Sequence, residues 1–197
     1  YGMVQTIMAD FPEFLPNTYD QYYLYPDYKV SHLDPDFTRA DEVMAGREKR
    51  VFTECAEVIK EGKLGDKFHA ISDAHAEMMI KVAEAIAYNK NDRHILIVEN
   101  NGAIANMQDD AMVEVVCELG INGPRPMRVG NIPQFNLGLL VNQVSCEKLI
   151  VDAYFENSYQ KALEAFTLNR LINDAKKARK VLDALIEANK GMWPELR

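Results

Sequence analysis

No stretch of this sequence reaches the roughly 18 consecutive apolar residues of a membrane-spanning helix, and no signal peptide is recognisable at its start. Basic residues are in the minority. The 22 Lys and Arg stand against 30 Asp and Glu, a net charge of -8, and no basic run interleaves with aromatics. Nucleic-acid binding is therefore not expected. A small phosphorylated ligand is not excluded, because one local Arg can hold phosphate against the overall field. Cysteine is scarce: Cys55, Cys117 and Cys146 are odd in number, widely spaced and form no CxxC pair. They read as reduced thiols of a reducing compartment, the cytoplasm, and not as a disulfide framework or structural zinc site.

Recognisable site motifs are also missing. The ten glycines never fall into GxGxxG after a strand, so no Rossmann phosphate loop is expected here. No HExxH or other metal-ligand spacing occurs, and His32, His69, His75 and His94 are scattered as surface or capping residues would be. Asp109-Asp110 fits turn or helix-cap use better than a metal pair. Glu99 and Glu114 flank candidate strands. A two-carboxylate glycosidase needs such groups about 5 to 9 Å apart, a distance that sequence spacing does not supply, so both read as solvated or structural charges.

What is present is a globular core and a tyrosine-rich opening. Apolar residues make up 48% of the chain, enough for one packed domain. Tyr1–Asp36 is aromatic and proline-rich, with Pro16 suited to the first turn of a short helix and Pro26 to its end. Thr38 with Asp41 matches a capping box. Met44, Val51, Phe52, Cys55, Val58 and Ile59 then repeat at helical spacing, with Gly62 and Gly65 as the exit. A second helix is expected from Ser72 or Asp73 to Asn89, with Ala76, Met79, Ile80, Ala83, Ile86 and Ala87 as a buried stripe. HILIV, His94–Val98, reads as a buried strand; Met112–Cys117 and Met127–Val129 are the next candidates. Helices follow from Pro133 to Asn157, from Ser158 to Leu171, and from a cap at Asn173 to Asn189, the last with Val181, Leu182, Leu185 and Ile186 inside. The expected class is α+β, a small mixed sheet covered by long helices.

Several stretches carry a resemblance. They are LPNTYDQYYLYPDY (Leu15–Tyr28), TRADEVMAGRE (Thr38–Glu48), AIAYN (Ala85–Asn89), LIVENNGAIANM (Leu96–Met107), AMVEV (Ala111–Val115), NGP (Asn122–Pro124), VGNIPQFNLGL (Val129–Leu139), EKLIVDAY (Glu147–Tyr154) and EANKGMWPEL (Glu187–Leu196). In order and spacing the chain resembles the C-terminal part of glycoside hydrolase family 4, whose C-terminal domain is lactate/malate dehydrogenase-like. The 6-phospho-β-glucosidases of that family have a Gly-Gly-Ala-containing segment where this chain has LPNTYDQYY. That segment, NNGAIAN and the WPEL ending favour the 6-phospho-α-glucosidase branch.

The resemblance implies an unusual hydrolysis that departs from the two-carboxylate scheme. Tightly held NAD takes a hydride from C3 of the sugar, a base removes the acidified C2 proton, and a divalent metal, manganese for preference, holds the C2 and C3 oxygens. The glycosidic oxygen leaves by elimination, water adds back, and the ketone is reduced again. The residue matching the family's tyrosine base is Tyr19, and the matching substrate-contacting arginine is Arg39. A phenol has a reference pKa of about 10, so it acts near neutrality only where a cation or metal favours phenolate. The family's NAD loop, its Cys-Asp-Met-Pro segment and its Asn-His segment have no match in residues 1–197, so no cofactor-binding or metal-binding residue is expected in this chain. The implied partners are a phosphorylated disaccharide such as maltose 6'-phosphate, the protein's own N-terminal Rossmann half, upstream of a Tyr1 that enters mid-phrase, and further copies as a dimer or tetramer. Two alternatives stay open: a catalytically incomplete module serving folding or oligomer contacts, and a related 6-phospho-β-glucosidase or NAD-dependent α-galactosidase.

Overall fold

The computed structural model describes residues 2–63, 74–172 and 174–197. Eleven elements are formed among them, in the order α1 (Gly2–Asp10), α2 (Asp20–Leu24), α3 (Pro26–Ser31), α4 (Arg39–Glu61), α5 (Ala74–Ala87), β1 (Asp92–Glu99), β2 (Met112–Gly120), β3 (Gly123–Pro126), α6 (Gln134–Glu156), α7 (Tyr159–Leu168) and α8 (Ala175–Ala188). The α+β class holds: one three-stranded sheet of order β1-β2-β3 with long helices. β2 pairs antiparallel with β3, and a parallel bridge, Ile104 to Gly130, lies outside the named strands.

The chain divides into two compact units. One comprises residues 1–30, 97–115 and 127–197; the other comprises 31–96 and 116–126. In the first, α6, α7 and α8 enclose an apolar cluster of Ala153, Ala162 and Leu182, with Tyr159, Leu163, Phe166, Ile186 and Leu196 packed on it. The small residues let the helix backbones approach, and the larger ones fill the space between them.

Local chemistry explains where elements begin and end. At α4 the capping box forms as the sequence indicates: the Asp41 amide donates to Thr38 Oγ1 at 3.4 Å and the Thr38 amide to Asp41 Oδ2 at 2.8 Å. The Thr38 hydroxyl, donating to Asp41 Oδ2 at 2.6 Å, and after it the Thr38 amide hold the Asp41 carboxyl below its ordinary pKa. Gly62 ends the helix in the left-handed region at φ 67°. Ser158 caps α7 through the Lys161 amide. The expected cap of α8, Asn173, and the expected start of α5 at Ser72 or Asp73 lie outside the described residues, as do Gly65 and His69. Asp174 caps α8, its Oδ1 accepting from the Lys177 amide at 2.9 Å. Gly120 is required by close approach. A Cβ there would lie 2.6 Å from Asn89 Oδ1 and 2.8 Å from Asn91 Oδ1, while Asn89 Oδ1 accepts from the Ile121 amide.

Five expectations need correction. Pro16 is not in a first helical turn: it lies in the irregular stretch before α2, which starts at Asp20 and ends before Pro26 as expected, and Pro26 in turn starts α3, where its fixed φ suits a first helical position. The opening segment also carries an unexpected helix, α1. β1 is not a fully buried strand: Ile95 and Ile97 are 57% and 68% exposed, alternating with half-buried His94, Leu96 and Val98. The stripe of α5 is likewise open, with Met79 69% and Ile80 62% exposed; only Ala85 is buried on that helix. Met127–Val129 forms no strand of the sheet. Its Val129 amide donates to the Ala103 carbonyl at 2.7 Å, and the third strand is Gly123–Pro126 instead. Two prolines are tolerated there because β3 is an edge strand.

The turn from β1 to β2 is organised by Asn100, a fully buried polar residue. Its Nδ2 donates to the carbonyls of Ile104, Met107 and Gln108 at 3.0, 3.2 and 3.0 Å, and its Oδ1 accepts from the Ile104 amide at 2.7 Å. Asn106 acts in the same way toward Ile132, donating to its carbonyl and accepting from its amide, both at 3.0 Å. Removing one partner of a buried hydrogen bond leaves the other unsatisfied, at about 1–3 kcal/mol per group. Asn100→Ala is therefore expected to destabilise the chain by about 3 kcal/mol or more, and Asn106→Ala by about half as much, read from urea midpoints. Asn100→Asp should resemble Asn100→Ala, because a carboxylate cannot donate to the three carbonyls. A midpoint for Asn100→Ala within a few tenths of a molar of wild type would contradict this role.

Candidate functional site

Tyr19 sits between α1 and α2, at the N-cap position of α2. An Asx turn fixes its backbone. The Tyr19 amide donates to Asn17 Oδ1 at 2.9 Å, and the Asn17 amide donates to Asp20 Oδ2 at 2.7 Å. The carbonyl of Tyr19 then accepts from the Tyr22 amide at 3.0 Å, starting the next helical turn. The backbone is held from both sides while the ring stays 68% exposed.

The neighbouring tyrosines are engaged differently. Tyr22 stacks on Tyr19 with ring centroids 6.3 Å apart, and Lys29 Nζ lies 4.9 Å from the Tyr22 centroid. The Tyr23 carbonyl accepts from Arg170 Nε at 3.1 Å. Tyr25 donates its hydroxyl to Asp10, and that bond to a carboxylate pushes its phenol above the ordinary range, since ionising it would place two anions together. Tyr22, Tyr23 and Tyr25 are half-buried. Of the four tyrosines from 19 to 25, Tyr19 presents the accessible phenol.

Arg39 is the first residue of α4, immediately after the Thr38 cap. Its guanidinium Nη1 lies 2.5 Å from Glu42 Oε2, and its side chain is 73% exposed. The macrodipole disfavours a cation at this end, and Glu42 one turn on offsets that cost. Exposure and the planar donor fork leave Arg39 able to take a phosphate or a sugar hydroxyl. Tyr19 and Arg39 belong to different units of the chain.

The other candidates carry no assembled site. Asp110 is paired with Lys148 Nζ at 2.5 Å, which lowers its carboxyl pKa. The carbonyl of Asp109 accepts from the Asn101 amide, so the acidic pair serves a turn. Glu99 accepts from Asn101 Nδ2 at 3.2 Å, and Glu114 is exposed. His94 is half-buried, and its Nε2 has no hydrogen-bond partner. No group of three or more His, Cys, Asp or Glu among the described residues is arranged to hold a metal ion. None of the three cysteines forms a disulfide; burial pushes the thiols of Cys117 and Cys146 up. Two apolar grooves of about 400 and 340 Å³ run along α6, lined by Ile150 and Phe166 in common, and neither includes Tyr19 or Arg39. The residue that motif reading missed is Asn100. The Asn-Asn-Gly sequence signals a turn, but nothing in it shows that the first amide is buried.

Residues 2–172 match the family 4 glycosyl hydrolase C-terminal domain. The chain is 48% identical over 198 residues to the maltose-6'-phosphate glucosidase of Fusobacterium mortiferum, covering all of this chain and 44% of that protein. It is 81% identical, with a TM-score of 0.93, to a crystal structure of a 6-phospho-α-glucosidase from gut microorganisms in complex with NAD and Mn2+, covering 100% of this chain and 45% of the other. A second such structure, with NAD and glucose-6-phosphate, is 47% identical with a TM-score of 0.92, covering 99% of this chain and 44% of the other. The chain thus spans less than half the length of the relatives it matches. On the family match over residues 2–172, this chain belongs to the family 4 glycosyl hydrolases, as their C-terminal domain.

Proposed function

We propose that this chain is the substrate-side part of a 6-phospho-α-glucosidase, a hydrolase of sugars such as maltose 6'-phosphate, in which Tyr19 is the base and Arg39 contacts the substrate. The observation that carries the reading is the 81% identity to a protein solved as a 6-phospho-α-glucosidase with NAD and Mn2+. The glucose-6-phosphate in the second relative supports a phosphorylated sugar as ligand. A cytoplasmic place fits three cysteines that form no disulfide. The protein is further proposed to work as a homo-oligomer with its own nucleotide-binding half.

The described residues of this chain do not fit either cofactor. They form no metal-ligand cluster, and the sequence has no glycine-rich phosphate loop. NAD and manganese are therefore assigned to the remainder of the full-length protein. The part left to this chain is proton transfer and binding. Tyr19 Oη is to take the proton from C2 of the sugar once that carbon has been acidified. An exposed ring on a backbone clamped by Asn17 and Asp20 can approach a substrate without repacking. Arg39, charged at any working pH, would bind the anionic or hydroxyl-rich sugar in ground and transition states alike.

In the full-length enzyme, Tyr19→Phe keeps the ring and deletes the acidic hydroxyl. Turnover is expected to fall about a hundredfold or more, with substrate affinity and thermal stability near wild type. Near-normal turnover would remove Tyr19 from the mechanism; lost stability with normal turnover would make it a packing residue. The 197-residue chain alone is expected to release no nitrophenol from a chromogenic 6-phospho-α-glucoside, even with NAD and Mn2+ added. Measurable turnover by the purified chain would overturn the assignment of both cofactors to sequence outside it.

A further inference from the structure

Tyr19 lies on a stretch of chain that is tied down at both ends. Upstream, Phe11 follows α1, and its ring stacks on Phe135 in the first turn of α6. The centroids are 4.9 Å apart and the planes 9° from parallel. Downstream, the Tyr25 hydroxyl donates back to Asp10, the last residue of α1. A third tie comes from much farther along the chain. Arg170, just past the end of α7, donates from Nε to the Tyr23 carbonyl at 3.1 Å, across 147 positions of sequence. All of these residues belong to the same compact unit.

The Arg170 bond answers a need of α2. Tyr23 is in the last turn of that short helix, where carbonyls lack an intrahelical partner. Pro26 has no amide hydrogen to carry the helix on, so α2 stops at Leu24 and its last carbonyls need donors from elsewhere. Arg170 is itself presented by a fixed backbone. Asn169 Oδ1 accepts from the Leu171 amide at 2.9 Å. The Asn169 carbonyl accepts from the Ile172 amide at 2.9 Å, closing a turn with Arg170 at its second position. That turn continues from α7, whose Ala162 is buried in the cluster shared with α6 and α8. The clamp of Asn17 and Asp20 orients Tyr19 relative to α2. It does not decide where α2 sits on the helical bundle, and the Arg170 bond does.

We infer that Arg170 is a positioning residue: it fixes α2 on the bundle of α6, α7 and α8 and so sets where Tyr19 Oη meets the sugar. The inference rests on the reading of Tyr19 as the base. In the full-length enzyme carrying this chain, Arg170→Ala is expected to lower kcat about tenfold or more, since a misplacement of about 1 Å costs up to about a hundredfold. KM and Tm should stay near wild type. Arg170→Lys, which keeps a cationic donor, should recover part of the loss. Deuterium at C2 of the substrate should slow Arg170→Ala more than it slows wild type, because proton removal is the step made harder. Once Tyr19 is Phe there is no hydroxyl left to place, so adding Arg170→Ala to that variant should cost little more. A near-normal kcat for Arg170→Ala would overturn the inference, as would an unchanged C2 isotope effect. So would a lowered Tm with normal kcat for the folded enzyme, which would make Arg170 structural alone. An equal further loss in the Tyr19→Phe background would show Arg170 acting apart from Tyr19 and overturn it too. Tyr19→Phe alone tests the base assignment. If that variant keeps near-normal turnover, the reading of Tyr19 fails and this inference with it, whatever Arg170→Ala does. With Tyr19→Phe impaired, the other outcomes bear on Arg170 alone.

Discussion

One buried side-chain amide sets the course of the chain through the first unit. Asn100 holds four hydrogen bonds with its side chain, three to carbonyls and one from an amide. Its own amide reaches the Ala111 carbonyl at 2.8 Å, closing the turn from which β2 departs. The turn is therefore a closed, hydrogen-bonded platform. Through Ala103, Ala105 and Asn106 it takes hold of Val129, Gly130 and Ile132, and α6 begins two residues later at Gln134. No hydrophobic residue could stand in for Asn100, because each carbonyl it satisfies would then be buried without a donor. The ion pair between Asp110 and Lys148 also joins this turn to α6, but both side chains are well exposed, so it adds direction more than stability.

The helices were legible because their signals are local. Thr38 and Asp41 are three residues apart and cap α4 without help from elsewhere; Ser158 does the same for α7. The strand pattern was legible in β2, where Val113, Val115, Cys117 and Leu119 alternate into the interior. What sequence periodicity does not say is what covers an apolar face. The stripes of α4 and α5 and the outer side of β1 have the residues of an interior and the exposure of a surface. Their periodicity is the same whether the cover comes from this chain, from the rest of the polypeptide or from another copy. The third strand was misplaced for a related reason. Gly-Pro-Arg-Pro has poor strand propensity, and its pairing opposite Cys117–Gly120 rests on being at an edge.

The candidate site was legible only through resemblance. Nothing local to Tyr19 distinguishes it by composition from Tyr22, Tyr23 or Tyr25. The structure adds a physical difference: those three are half-buried, while Tyr19 keeps its ring in the open on a fixed backbone. Arg39 shows the same combination, a pinned backbone at a capping box and an extended cation. On the proposed reading, the electropositive group that would favour phenolate comes from outside this domain, which spans 44% of its relatives.

The proposed chemistry leaves an isotopic mark that ordinary hydrolysis does not. If Tyr19 removes the C2 proton, the proton returned to C2 comes from solvent. The full-length enzyme should be run to partial conversion of a 6-phospho-α-glucoside in D2O, and C2 of the released glucose 6-phosphate examined by proton NMR. The account predicts deuterium at C2 in the product formed by wild type. Product that keeps its C2 proton in full, at normal turnover, would contradict it.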